Sequence, residues 1–516
     1  MTMKLLLEED FFVEFYEWRF PMKAKSMIAL MLCMIMVLMP ISCGKGSDDI
    51  EVTTTQDEAG ITSLTEETMA ILDENAYPEN SLPDDLNFDG EELDMLASEW
   101  QGYEYYFFAD EQNGDAMNDA IYSRKMAVEE ALNIKMVTHQ EGFTIQEVAN
   151  ELKRIILAGE SAYDLVFNHC IQGISSSAAN GYLYNLDTLP YINMQAEWWN
   201  REQMDMLRLG KNTYYAVNDM MIPCPYVIFF NKEMIEQENM EDPYQLVYHG
   251  EWTLDKMGEM ATHVSTDLDG NGLHNQYDRW GLIAQEQSKF ISFMTGAGQY
   301  MTERDADGRV QLAMNTEKMN NLMAFFADLT AQNVINRSIK SSNTYVGMET
   351  GRILFEADSL AHAELFRDLE IEYGMLPYPK YDKEQEEYIS LDWGGLLSVP
   401  NNIENPDMVG AAMEMLAWES AREVLPAYYD VVLAGKLSRD EDAARMLELL
   451  FDTITYEIGG NYFGFDAGST DLFYVIPRKA VEGGMTSIAS IYKSNEAVTK
   501  KVLSIFYQRL DTVESQ

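Results

Sequence analysis

The chain has 516 residues, with 36 basic and 86 acidic side chains, a formal net charge of −50 and 47% hydrophobic composition. A field of that sign repels phosphate backbones and anionic lipid surfaces, which argues against nucleic acid as a partner and leaves neutral or cationic ligands open. The length and apolar content suffice for two or three domains with a large buried core.

Residues 1–42 read as an upstream extension followed by a secretory signal. Met22, Lys23 and Lys25 form a basic start, Met27 to Met39 is an apolar run too short to span a bilayer, and Pro40, Ile41 and Ser42 lead into Cys43. The acidic, aromatic stretch before Met22 fits no signal start, so Met22 is the expected initiator. A cysteine after such a turn resembles a bacterial lipobox, with Pro40 standing where lipoboxes usually carry Leu. The resemblance implies a diacylglyceryl-modified Cys43 that anchors the protein to the outer face of the cytoplasmic membrane. An ordinary secreted or single-pass protein is the alternative. Residues 43–91 follow as an acidic disordered tether: from Gly44 to Glu92 there are fifteen acidic residues and one lysine, too little apolar surface to offset ordering.

Order is expected from Glu92. Leu93, Met95 and Ala97 mark a strand whose alternation Leu96 spoils, and Asp119 to Asn133 reads as a helix with Ile121, Val128 and Leu132 on one face. Ile134 to Thr138 is the next strand. Thr144 and Glu147 stand at capping-box spacing before the apolar stripe Ile145, Val148, Leu152 and Ile155, which Gly159 closes; Tyr163 to Phe167 is a third strand. This β-α-β-α-β order predicts an open, mostly parallel sheet in an α/β lobe. Further on, Tyr226 to Phe230 reads as a strand, Thr253 as the cap of a helix bearing Leu254, Met257 and Ala261, Leu396 to Val399 as a strand before a helix from Met408 to Trp418, and the chain beyond Ala421 as mainly helical. Cys170 and Cys224 are the cysteines left for the folded body; two buried thiols are expected, with one bridge between them as the alternative.

The sharpest local motif runs from Asp267 to Asp278 and fits the calcium loop D-x-D-x-N-G-x5-D. Asp267, Asp269, Asn271 and Asp278 supply side-chain oxygens, Leu273 a carbonyl and Asn275 a contact through water, while Gly272 permits the sharp turn. Asp at position 12 is shorter than the Glu of EF-hands, so a structural Ca²⁺ of modest affinity is expected. A polar turn held by Asx hydrogen bonds is the alternative.

Several segments together carry a family resemblance: Gly181 to Asp187 (GYLYNLD), Tyr214 to Asp219 (YYAVND), Phe230-Asn-Lys232, Gly250-Glu-Trp-Thr253, Tyr373 to Asp382 (YGMLPYPKYD), Pro426 to Tyr429 (PAYY) and Ile488 to Tyr492 (IASIY). In order and spacing these resemble the family 1 extracellular solute-binding proteins of ABC importers, many of which bind sugars. The resemblance implies a type II periplasmic-binding-protein-like fold, with two α/β lobes joined by a hinge and a ligand cleft between them. Residues 92–222 with about 390–425 would form the first lobe, and residues 223–389 with about 426–516 the second. Open α/β sheets bind ligands beyond the carboxyl ends of their strands, which places Ser98, Glu99, Trp100, Asn168 and His169 at the cleft. The family pattern adds Tyr226, Asp358, Asp392 and Trp393.

Sugar recognition needs flat aromatic faces and buried hydroxyl partners, and Trp100 and Trp393 are the stacking candidates. Trp252 and Trp280 are expected in the core, Trp198 and Trp199 in packing, and a lone His169 is more often satisfied in a core than ligand-bound. The function implied is capture of an oligosaccharide by a monomer that hands it to a membrane permease and breaks no bond. A secreted glycoside hydrolase, with two carboxylates about 5 to 9.5 Å apart, and the binding module of a sensor system are the rivals.

Overall fold

The structure is a computed structural model that describes residues 78–99, 108–171, 173–284, 287–336, 347–366, 370–432, 440–463, 472–482 and 484–515. The expected signal segment, Cys43 and Trp100 lie outside these residues.

The amino-terminal part runs β1 (Glu91–Ala97), α1 (Ala116–Leu132), β2 (Ile134–His139), α2 (Ile145–Ala158), β3 (Leu165–His169), α3 (Ile174–Ala179) and α4 (Arg201–Leu207). The middle part runs β4 (Tyr226–Asn231), α5 (Lys232–Gln237), α6 (Pro243–Tyr248), α7 (Leu254–Val264), β5 (Trp280–Ile283), α8 (Gln287–Gly296), a hairpin of β6 (Thr302–Arg304) and β7 (Val310–Leu312), α9 (Glu317–Ala331), β8 (Ile335–Asn336), β9 (Ile353–Ser359), α10 (His362–Phe366) and β10 (Tyr373–Leu376). The last part holds β11 (Ser390–Leu391), β12 (Gly395–Ser398), α11 (Pro406–Glu419), α12 (Leu425–Val432), α13 (Glu441–Asp452), β13 (Ile454–Thr455), α14 (Leu472–Glu482) and α15 (Ala489–Val513).

Local chemistry sets these boundaries. Asp115 caps α1 by accepting from the Asn118 amide, and Asn133 ends it in the left-handed region at φ 48°. Thr144 and Glu147 form the full capping box of α2, and Gly159 closes that helix at φ 68°. Thr253 caps α7, and Asn405 caps α11 with Pro406 at its first position. Strand β3 begins two residues later than its apolar run suggested, because Asp164 turns back to donate to the Asp94 carbonyl.

Two main sheets result. The first has the order β12-β3-β1-β2, with β1 parallel to both β2 and β3 and β12 antiparallel on the β3 edge. Central β1 buries Leu93, Met95, Leu96 and Ala97, and a strand covered on both faces needs no alternation. The second sheet, β10-β4-β9-β5-β8, is mixed: β4 runs antiparallel to β9 and β10, while β5 is parallel to β9 and β8. Trp252 and Trp280 are buried in or beside this second sheet, as expected of core residues, and Trp252 donates its indole N–H to the Pro377 carbonyl at 2.9 Å.

Residues 78–90 do not belong to the disordered tether expected up to residue 91. They lie on the first lobe: Leu82, Leu86 and Phe88 pack against the core, the Phe88 amide donates to the Leu132 carbonyl at 3.0 Å, and Trp418 donates to the Pro78 carbonyl at 2.8 Å. Three apolar side chains in an acidic stretch are enough to hold it once a complementary helix face is present. Trp198 and Trp199 are packing residues with a polar tie, since both indoles donate to the buried Glu414 carboxylate at 3.0 and 2.7 Å.

Candidate functional site

Strand direction decides where side chains converge. The carboxyl ends of β1 and β3 carry Ser98 and His169, and antiparallel β12 enters beside them, with Gly395 opposite His169. In the second sheet β9 ends at Asp358 and Ser359, antiparallel β4 begins there with Tyr226 opposite Ser359, and α8 follows the end of β5. Both carboxyl edges therefore face the segments that cross between the lobes.

Those crossing segments are residues 222–226, 391–395 and 455–461. Pro225 pairs with Asp392, the Asp392 amide donates to the Thr455 carbonyl at 2.9 Å, and Leu391 lies in parallel register with Thr455. Asp392 is 3% exposed, and both its oxygens are engaged: Oδ1 accepts from the Cys224 amide at 2.8 Å and Oδ2 from the Tyr456 hydroxyl at 2.9 Å. Burial pushes its carboxyl up from the usual range. This is the geometry of a hinge clamp. Cys170 and Cys224 flank it as free buried thiols; burial raises both, that of Cys224 to about 12, so neither is a nucleophile near neutrality. Asn461 ties the group together, donating to Cys170 Sγ at 3.2 Å and to the Asp392 carbonyl at 3.3 Å.

Trp393 projects from the hinge to meet the second lobe. Its ring stands edge-on to Tyr226, with centroids 6.3 Å apart. On the other side of Tyr226, Lys289 of α8 holds its ammonium 4.9 Å from the ring centroid and 2.8 Å from Asp358 Oδ1. His362 Nδ1 lies 3.3 Å from the same oxygen, and the buried Tyr378 phenol borders the group. Aromatic surface, a paired cation and anion, and a phenol thus lie together at this junction, groups able to meet a polyhydroxylated ligand.

At the first-lobe edge the Ser98 hydroxyl is fully buried, with no hydrogen-bond partner among the described residues. His169 is 2% exposed, and burial pulls its imidazole down to about 3, so it is neutral at physiological pH.

Of the residues singled out in sequence, Tyr226, Asp358, Asp392 and Trp393 come together at the junction, and His169 and Ser98 lie at the facing edge. Glu99 points elsewhere, accepting from the Gly142 amide at 3.2 Å in the turn before α2. Asn168 braces α2, donating to the Ile145 carbonyl at 3.0 Å. Lys289, His362, Tyr378 and Tyr456 were missed. Only the folding of α8, α10 and the segments just after β10 and β13 against the sheet edge brings them in, and no local spacing announces that.

The metal-type loop lies apart from the cleft. Ligand-type carboxylate oxygens of Asp267, Asp269 and Asp278 all lie within 4.8 Å of one another. Asp267 accepts from the Gly270 and Gly272 amides, each at 2.7 Å, which holds its carboxyl below the usual range, and Gly272 has φ 79° as the motif requires. Asn271 donates to Asp269 at 2.7 Å, and Asn275 donates to the Leu273 carbonyl at 3.1 Å. Asp278 is fully buried, and Trp280 donates to the Asn275 carbonyl at 3.0 Å, fastening the loop to β5. The residues present fit a hard divalent cation with oxygen ligands.

Two α/β lobes joined by three crossing segments, with strand carboxyl ends turned toward those segments, are the arrangement of a type II, two-lobe binding-protein fold. No protein-family model matches the sequence, and no curated protein is significantly similar to it. Solved structures agree on the fold. The galacto-N-biose/lacto-N-biose I-binding protein of a Bifidobacterium longum ABC transporter superposes with TM-score 0.57 at 13% identity, covering 81% of this chain and 98% of that one. The cyclic alpha-maltosyl-1,6-maltose binding protein of Arthrobacter globiformis gives TM-score 0.56 at 13% identity over 82% and 99%. UgpB of Mycobacterium tuberculosis, solved with glycerophosphocholine, gives 0.54 at 12% identity over 83% and 99%. The chain thus has the fold of ABC-transporter solute-binding proteins along nearly their whole length. Among the described residues, no helix is long and apolar enough to cross a membrane.

Proposed function

We propose that the protein is an extracellular solute-binding protein, lipid-anchored through Cys43, that captures an oligosaccharide in the cleft and delivers it to the membrane permease of an ABC importer. The observation that carries this reading is the junction where Trp393 and Tyr226 meet the Lys289–Asp358 pair, at the facing carboxyl edges of two lobes. Two of the solved structures with this fold are described by the oligosaccharides they bind. Aromatic faces cover the C–H surface of a pyranose, while Lys289 and Asp358, already hydrogen-bonded to each other, offer a donor and an acceptor to adjacent hydroxyls. Their charges cancel, which favours a neutral ligand. Lobe closure over the sugar is the signal a permease can read.

A panel of plant and host oligosaccharides tests this by thermal shift on the body from Gly44 onward. A ligand at 100 times its Kd adds about 2.7 kcal/mol of stability, an easily read rise in Tm. The expected result is a rise with one glycan family and recovery of that glycan intact. A glycan returned cleaved would instead establish a hydrolase, and silence across the panel would overturn the sugar reading.

We further propose that Asp267, Asp269, Asn271 and Asp278, with the Leu273 carbonyl and a water held by Asn275, bind Ca²⁺ as a structural brace for the second lobe. Titration calorimetry with Ca²⁺ should give one site, abolished in Asp267→Asn/Asp269→Asn, and chelator should lower Tm. No heat and an unchanged Tm would contradict it.

A further inference from the structure

The carboxyl-terminal helix touches both lobes through its last two turns, with Tyr507, Asp511 and Glu514 stacked along one face. Toward the second lobe, Asp511 takes both its oxygens to Arg309 Nη2 at 2.9 and 2.8 Å, the Arg309 guanidinium stacks 5.2 Å from the Tyr507 ring centroid, and the Tyr507 hydroxyl accepts from the Val310 amide at 2.7 Å. Those partners sit in or beside the β6–β7 hairpin. Toward the first lobe, Glu514 accepts from the Lys211 amide at 2.9 Å and the Asn212 amide at 3.1 Å. Val513 lies against Gly181, and Gly210 leaves the space that the Glu514 carboxylate occupies. The hairpin itself reaches across, since Arg304 donates to the Met206 carbonyl at the end of α4.

The base of the hairpin is fixed to the hinge. The Met301 amide and Thr302 hydroxyl both donate to Glu457 Oε1, at 3.2 and 2.9 Å, and Glu457 is buried in the third crossing segment. Any hinge rotation that displaces the 206–212 loop relative to the hairpin must strain, slip or break the contacts bridging them.

We propose that the end of α15 and the β6–β7 hairpin form a clasp across the lobes, which stabilises the lobe arrangement seen here and sets the balance between it and more open forms. The exposed Arg309–Asp511 pair contributes little alone, but with the stacked Tyr507 and the Glu514 anchor it acts as one unit. Because a ligand's apparent affinity scales with the fraction of molecules in the competent arrangement, the clasp tunes affinity without touching ligand. That consequence rests on the binding function proposed above; the clasp does not.

Spin labels at exposed Glu130→Cys on α1 and Glu384→Cys after β10, with Cys170 and Cys224 buried, report the interlobe distance in ligand-free protein. Arg309→Ala/Asp511→Ala and, separately, Tyr507→Phe should broaden the distance distribution and move it away from the wild-type centre, with Arg309→Lys intermediate. Distributions matching wild type in both variants, with Tm confirming folding, would overturn the clasp whatever the glycan panel shows. A silent glycan panel with altered distributions would leave the clasp standing and remove the sugar.

Discussion

Glu414 lies fully buried on α11, and its oxygens collect the Trp198 and Trp199 indoles, the Asn193 amide at 2.9 Å and the Ser81 hydroxyl at 3.3 Å. Each buried donor left unpaired costs about 1–3 kcal/mol, so Glu414→Ala should lose at least about 3 kcal/mol in denaturant unfolding. Glu414→Gln keeps one acceptor and should lose less. Asp164 is the opposite case. Burial, together with the nearby Asp94, Glu91 and Glu404 charges, raises its carboxyl to about 6 against one backbone hydrogen bond that lowers it. A carboxyl raised in the folded state stabilises most below its unfolded pKa near 4, and that contribution is lost as pH rises through about 6. Asp164→Asn should therefore raise Tm relative to wild type at pH 7.5, and the gain should vanish by pH 4; a gain independent of pH would contradict the assignment. At this scale the sequence was an uneven guide. Trp393 and Tyr226 could be placed from the resemblance, but Asp392 is spent on the hinge, and the carboxylate that clamps two tryptophans more than 200 positions away in sequence has no local signature.

Helices with strong chemical punctuation were legible as elements. Thr144 with Glu147, Gly159 and Thr253 each act through bonds within four residues, so their meaning is fixed before tertiary structure forms. Strands were harder at their ends, because the pairing of β3 with β1 and β12 decides which of its apolar residues are in register. The close approach of α7 to β5 gives an element-scale test. A Cβ on Gly281 would overlap the Ala261 carbonyl, so Gly281→Ala must push helix from strand and should cost about 1–3 kcal/mol, read as a lowered denaturation midpoint. The loop proposed to bind Ca²⁺ joins these same two elements, so if it does, Gly281→Ala should also weaken that binding; Ca²⁺ affinity unchanged in a destabilised variant would show the loop to be mechanically separate.

At the scale of the molecule, the β-α-β-α-β pattern called for one α/β sheet and the family resemblance implied two lobes; two main sheets appear. How they join was not legible: the crossing segments carry no distinctive composition, and their pairing involves residues near 225, 392 and 455 that only the folded chain brings together. The same long-range closure explains why Lys289 and His362 escaped notice. The proposed function requires the two lobes to close over a sugar at Trp393 and Tyr226. Small-angle scattering of the soluble body with and without the glycan found by thermal shift tests it most directly. Closure predicts a smaller radius of gyration with ligand, lost along with binding in Trp393→Ala. Tight binding with an unchanged radius of gyration, or full binding by Trp393→Ala, would contradict it.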